Sequence, residues 1–228
     1  GLLRSDRSTR AFPALRARHY AVLPLGARSG LIQWVQSVTP LFSAYKAWKL
    51  NSLQQQGHKE KTSDGRESGE SREQGAPAAV MRPADAFYAK IAPALKAKGV
   101  SPGSLRRDWP HDVLRRVLQE LMAEIPRELL AQEMWASSAD TAEWWNKTQS
   151  YARSAAVMSM VGYVIGLGDR HLDNILIDFR SGELLHIDYN VCFEKGLRLK
   201  VPETVPFRMT HTMQAALGAS GVDGTFTN

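Results

Sequence analysis

The sequence predicts an α+β fold that is mainly helical, with one short β-hairpin late in the chain. Three patterns predict it. Two apolar runs, "NILIDF" and "ELLHID", flank Arg180-Ser181-Gly182, which is a strand–turn–strand signal. A stretch that is apolar on nearly every face, "SAAVMSMVGYVIG", precedes them and ends at Gly166 and Gly168. Between a wholly polar tract and that stretch, apolar residues recur at helical spacing.

Taken in order, residues 1–18 form a basic N-terminal end, with Arg4, Arg7, Arg10, Arg16 and Arg18 against one acid, Asp6. A solvated end is the expectation, and an arginine-rich transit peptide is the alternative. "HYAVLPLG" (19–26) and "SGLIQWV" (29–35) read as two strands around a turn at Gly26 to Ser29. Thr39-Pro40 should open a helix as N-cap and first residue, running to about Leu53. Residues 54–75 hold four basic and five acidic side chains and no hydrophobic one. Nothing there offsets the entropy of ordering, so 54–82 is read as a disordered linker or surface insertion.

After the linker, Phe87, Tyr88, Ile91 and Leu95 mark a helix stopped by Gly99. Val113, Leu114, Val117, Leu118, Leu121, Met122 and Ile125 form an apolar face that ends before Pro126. "DTAE" (140–143) is a capping box that starts a long helix from Thr141 to Ile165. The apolar second half of that helix implies full burial, with its Met and Trp residues in the core. The divisions are therefore 1–18, 19–53, 54–82 and 83–228.

Composition narrows the function. Net charge is +6, but no aromatic–basic platform accompanies it, so direct nucleic-acid binding is not expected. No apolar stretch approaches the roughly 20 residues that span a bilayer. Cys192 is the single cysteine, which excludes an internal disulfide and fits a reducing compartment.

The chemistry concentrates in "GLGDRHLDNILIDFRSGELLHIDYN" (166–190). Carboxylates among apolar runs are costly unless paired, hydrogen-bonded or bound to a cation. Asp169 and Asn174 have the Asp-four-residues-Asn spacing of a phosphoryl-transfer catalytic loop. Asp188, at the far end of the hairpin, should lie beside Asn174 although 14 residues separate them. Hard oxygen donors of this kind suit Mg²⁺. The lone cysteine and the histidine spacing do not suit zinc. Asp173 reads as a loop cap, Asp178 as a turn residue, and His186 as structural, bonded within the fold. Arg170 is read as pairing with a loop carboxylate or a backbone carbonyl.

"GLGDRHLDNILID" followed by "HIDYN" resembles the phosphatidylinositol 3-kinase-related protein kinase family, in which the order is D-R-H. "YAVLPLGARSGLIQWV" resembles its hinge and "WWNKTQSYARSAAVMSMVGYVIG" its central helix. "KVPETVPFRMTHTMQAALGASGVDG" resembles the end of its activation loop and the helix beyond. Tyr189-Asn190 stands where most relatives have Phe-Gly, a variation found in the branch that phosphorylates a helicase in nonsense-mediated mRNA decay. Asn190 is the best substitute for a glycine of positive φ.

The resemblance implies a kinase C-lobe with hinge strands of an incomplete N-lobe. It implies a protein serine/threonine kinase using ATP and Mg²⁺, with Mn²⁺ as the alternative ion. Asp169 would orient or deprotonate the substrate hydroxyl, and His171 would lie against the transferring phosphate. Which of the two is the base stays open. Asn174 and Asp188 would hold metal. Trp34 would lie on the adenine and Val35 would bond it through its backbone, with Tyr20, Ile32, Leu176 and Ile187 lining the pocket. Implied partners are Ser/Thr-Gln proteins, an RNA helicase among them, and regulatory subunits of the full-length protein, with no membrane. The implied location is cytoplasm, nucleus or both. A glycine-rich loop, a strand lysine and its glutamate partner are not found before residue 19, so this chain alone is expected to show little activity. A phosphoinositide lipid kinase and a non-catalytic pseudokinase-like fragment are the alternatives. Residues 189–209 carry Lys195, Arg198, Lys200 and Arg208 against Glu194 and Glu203, too diffuse a charge to favour a lipid head group.

Overall fold

The structure, a computed structural model, describes residues 17–63 and 80–227. The chain divides into two compact units, one formed by the residues up to Ala44 with those from Arg127 onward, the other by Tyr45–Pro126. The arginine-rich start up to Arg16 and linker residues 64–79 lie outside the described residues.

In the first unit, β1 (Val22–Gly26) and β2 (Ser29–Ile32) pair antiparallel from Val22 opposite Ile32 to Gly26 opposite Ser29, with a register shift at the turn. Every residue of both strands is exposed. β2 ends earlier than the sequence implies, so Trp34 and Val35 follow it in irregular chain.

Thr39 and Pro40 do not open the helix. They form β3, which pairs with β4 (Ile175–Ile177) through Thr39 opposite Ile177 and Pro40 opposite Leu176. An edge strand tolerates Pro, because the missing N–H faces away from the ladder. Helix α1 (Leu41–Ser63) begins after it and runs ten residues past the expected stop at Leu53. Gln, Lys and Glu are good helix formers, so a tract without an apolar face still carries helical propensity.

β4 pairs antiparallel with β5 (Leu184–His186), Leu176 opposite Leu185. The turn is built by Asp178: its Oδ1 accepts the Arg180 N–H at 3.0 Å, and its carbonyl accepts the Gly182 N–H at 2.7 Å. Gly182 has φ +78°, and a Cβ there would stand 2.2 Å from the Lys147 carbonyl oxygen. Ile175, Ile177 and Leu184 pack with Tyr151, Ala152, Ala155, Leu130, Met134 and Met213 in the core of this unit. Each large side chain buried there contributes about 1.5–3 kcal/mol.

The helix behind this hairpin is α5 (Thr141–Val164). Half of the expected capping box forms as such: Asp140 Oδ1 accepts the Glu143 N–H at 2.7 Å, while Glu143 Oε2 reaches back one residue past the cap and accepts the Ala139 N–H at 2.7 Å. Its second half is not buried all round. Tyr151, Ala155 and Met158 are in the core, but Met160, Tyr163 and Val164 are 58%, 60% and 76% exposed. Trp135 and Trp145 are also more than half exposed. An all-apolar helix reports hydrophobicity on every face, but neighbours on only some faces cover it here. Helix α4 (Leu129–Ala136), which the sequence reading did not anticipate, buries Leu129, Leu130 and Met134. Helix α6 (His211–Ala215) starts at Thr210, whose hydroxyl accepts the Met213 N–H.

The second unit pairs α2 (Pro83–Ala97) with α3 (His111–Glu124) around Ile91, Leu95, Trp109, Val113 and Val117. Gly99, at φ +72°, ends α2, and the Val100 N–H bonds back to the Leu95 carbonyl at 3.0 Å. Leu118 and Met122 of the expected apolar face are exposed.

Candidate functional site

The segment that holds the candidate residues begins where α5 ends. Gly166 turns the chain at φ +57°, and a Cβ there would lie 2.6 Å from the Phe193 carbonyl oxygen. Asp169 follows with φ 56° and Asp188 with φ 57°. Left-handed backbone is sparsely used by residues other than glycine, and Asp is among those that tolerate it. The left-handed residue expected at Asn190 is thus found at Asp188 and, at φ 58°, at Phe193.

Arg170 is the hub. It is buried, and its guanidinium reaches backbone carbonyls, not a carboxylate. Nε donates to the Gly168 carbonyl at 2.8 Å, and Nη1 donates to those of Ile187 at 2.7 Å and Asn174 at 3.3 Å. Nη2 donates to the Asp188 carbonyl. Burial pushes the Arg170 pKa down, and the charges of Tyr189, Asp169 and Asp188 oppose that. One rigid fork therefore ties the loop to the end of the hairpin.

Asn174 completes the tie. Its N–H donates to the His171 carbonyl at 3.0 Å, its carbonyl accepts the Ile187 N–H at 3.1 Å, and its Nδ2 donates to the Asp169 carbonyl at 3.0 Å. With Nδ2 engaged, Oδ1 is the remaining acceptor of the amide. Asp188 is exposed, and its Oδ1 accepts the Asn190 N–H at 3.2 Å. His171 is half exposed, and its Nδ1 accepts the Asp173 N–H at 3.2 Å. That bond leaves the proton of the neutral ring on Nε2.

Asp169, His171, Asn174, Ile187 and Asp188 are thus linked through one backbone network. Tyr20 is half-buried and close enough to raise the Tyr189 pKa, after burial, which is the larger cause. Leu176 is buried on the hairpin face opposite Ile175 and Ile177. Val35 is half-buried, while Ile32 and Trp34 are 71% and 86% exposed. Arg18 fastens the hinge segment to the hairpin, with Nη1 2.9 Å from Asp178 Oδ2 and Nη2 3.5 Å from the Gln36 carbonyl. His186 is buried, and burial with the nearby Arg170 charge pushes its pKa down to about 4. Its Nδ1 has no hydrogen-bond partner among the described residues, so any bond that fixes the ring is not made through that nitrogen.

Two residues escaped sequence reasoning. Glu203 accepts the Asp169 N–H with both carboxylate oxygens, and Arg208 Nη1 donates to the Arg170 carbonyl at 3.1 Å. Each acts from more than 30 residues away, so no local pattern marks it.

The donors fit a hard divalent cation better than zinc. Among the described residues no group of three or more His, Cys, Asp or Glu could hold a metal. One amide oxygen and one exposed carboxylate suit Mg²⁺, which takes few protein ligands and completes its shell with water and phosphate. Among the described residues no helix is long and apolar enough to cross a membrane.

Residues 2–228 match the phosphatidylinositol 3- and 4-kinase family. The chain is 57% identical over 214 residues to the serine/threonine-protein kinase SMG1 of Danio rerio, covering 94% of this chain and 6% of that protein. It is 48% identical to Smg1 of Drosophila melanogaster, over 92% of this chain and 6% of the relative. Among solved structures it superposes on the FAT and kinase domain of CtTel1 with a TM-score of 0.69 and 29% identity, covering 99% of this chain and 13% of that one. The chain therefore spans a small fraction of the relatives it matches.

Proposed function

Because the chain belongs to the phosphatidylinositol 3- and 4-kinase family, we propose that it is the C-lobe and hinge of an ATP-dependent protein serine/threonine kinase. The observation that carries this reading is the Arg170 fork, which holds the carbonyls of Gly168, Asn174, Ile187 and Asp188 in one cluster. That cluster ties together the backbone of the two segments that carry the Asp169 and Asp188 carboxylates, the Asn174 amide and the His171 imidazole, the kinds of group that phosphoryl transfer needs. The names of the relatives, serine/threonine-protein kinases, support a protein acceptor.

Bound Mg²⁺–ATP, with Mn²⁺ as the alternative ion, supplies the phosphoryl group and offsets its charge. Asn174 Oδ1 and the Asp188 carboxylate hold the ion. Asp169 orients the substrate hydroxyl and takes its proton, with His171 Nε2 as the alternative group. Tyr20, Ile32, Trp34, Val35, Leu176 and Ile187 form the adenine pocket, with Trp34 stacking on the ring. The acceptors are Ser or Thr followed by Gln, an RNA helicase among them, in a nonsense-mediated mRNA decay type of role. Regulatory subunits assist the full-length protein in cytoplasm, nucleus or both.

The test uses the full-length protein with Mg²⁺–ATP and either a Ser-Gln peptide or phosphatidylinositol vesicles. Phosphate should pass to the peptide, and Asp169→Asn or Asp188→Asn should lower transfer by at least about 10²-fold. Transfer to the vesicles alone would make it a lipid kinase, and Asp188→Asn at full activity would end the metal assignment. Nucleotide titration followed by Trp34 fluorescence, with Trp34→Ala as control, checks the pocket separately.

A further inference from the structure

Glu203 has no part in the reading above, yet it grips the residue at its centre. Its carboxylate oxygens lie 2.9 and 3.0 Å from the Asp169 backbone nitrogen and accept its N–H. Its own N–H donates to the Gly196 carbonyl at 3.1 Å, so the backbone is anchored while the side chain reaches the loop. Two glycines make room for that reach. A Cβ on Gly168 would stand 2.2 Å from Glu203 Oε2, and one on Gly196 would stand 3.2 Å from it.

The N–H that Glu203 holds belongs to a left-handed, non-glycine residue, φ 56°. Such a conformation persists only where surrounding contacts over-determine it. Asp169 is held on both sides: Glu203 takes its N–H, and Asn174 Nδ2 donates to its carbonyl at 3.0 Å. A hydrogen bond to a carboxylate is about twice as strong as a neutral one. The remaining φ freedom of Asp169 therefore depends on a residue 34 positions away, in the segment after the hairpin.

We propose that Glu203 is a positioning residue for Asp169, fixing its backbone so that its carboxylate meets the substrate hydroxyl. The aspartate is then correctly placed only while the Gly196–Glu203 segment is docked on the loop. This inference rests on the assignment of Asp169 as the group facing the hydroxyl.

The experiment measures kcat and the KM for ATP of the full-length protein with the Ser-Gln peptide. Glu203→Ala should lower kcat by about 100-fold, the scale of loss when a catalytic group is displaced by about an ångström. The KM for ATP and the unfolding temperature should stay unchanged. Glu203→Gln, which keeps an acceptor oxygen, should recover most of that loss. Gly168→Ala, whose methyl displaces the Glu203 carboxylate, should reproduce the kcat defect without altering Glu203. Glu203→Ala within twofold of wild type, or Glu203→Gln as impaired as Glu203→Ala, would overturn the proposal. So would a kcat loss that merely tracks a fall in unfolding temperature. Asp169→Asn separates the two levels: if that variant keeps full activity, the assignment beneath the proposal has failed, whatever Glu203 does.

Discussion

Replacing Arg170 tests whether a single guanidinium holds the site together. Arg170 donates four hydrogen bonds to backbone carbonyls while only 7% of its surface is exposed. Hydrogen bonds involving a charged group contribute about 1.5–3 kcal/mol each, so the gross loss in Arg170→Met is of order 6–12 kcal/mol. Against this, the variant removes a buried cation, whose effective desolvation costs several kcal/mol. The downward push of burial on the Arg170 pKa shows that this cost is present. The net destabilisation should be about 3 kcal/mol, or roughly 10 °C in Tm for a chain of this size. Arg170→Lys makes the sharper comparison. It keeps the charge and its desolvation cost, but a compact ammonium cannot span four carbonyls. The lysine variant should therefore be at least as destabilised as the methionine variant. Urea unfolding followed by circular dichroism reads both midpoints. A lysine variant within 1 kcal/mol of wild type, beside a badly destabilised methionine variant, would show that the charge and not the fork holds the loop.

Other perturbations probe the scaffold beneath the site. Gly182→Ala places a Cβ 2.2 Å from the Lys147 carbonyl at φ +78°, and should cost about 2–4 kcal/mol by the same unfolding measurement; a neutral result would mean that the turn relaxes freely. Ser154→Ala strips the acceptor from the buried Leu184 N–H, bonded at 2.9 Å, and should cost about 1–3 kcal/mol; Ser154→Thr, which keeps the hydroxyl, separates that bond from packing. Burial pushes the Asp178 carboxyl up, but hydrogen bonds from Arg18 and Arg180 outweigh it and hold the pKa below the ordinary value. Its folded value lies below its unfolded value, so its stabilisation is complete above about pH 4 and drains away as pH falls through the folded value. Arg18→Met leaves burial less opposed, so the midpoint of acid unfolding should move to higher pH; an unmoved midpoint would remove Arg18 from the account.

Features that depend on neighbours in sequence were legible without coordinates. The N-cap at Asp140 was legible because it bonds the N–H of Glu143 three residues on, and Glu143 reaches back to Ala139. The hairpin was legible because two short apolar runs flank a turn whose Asp178 and Gly182 close it within five residues. Apolar spacing likewise marked α2 and α3. Contacts between distant segments were not legible. Thr39-Pro40 reads as a helix start until a strand more than 130 residues later offers it a ladder. An apolar stripe says that a helix wants burial, not which faces find neighbours, so Met160, Tyr163 and Val164 could be placed only by the packed chain. The loop motif put forward Asp169, Asn174 and Asp188 as candidates, because residue type and spacing are visible in the sequence. Their tie through Arg170, and the hold of Glu203 on Asp169, depend on backbone carbonyls and on an N–H that every residue but proline possesses. Such groups leave no trace in side-chain identity, so only the tertiary structure could decide which of them meet.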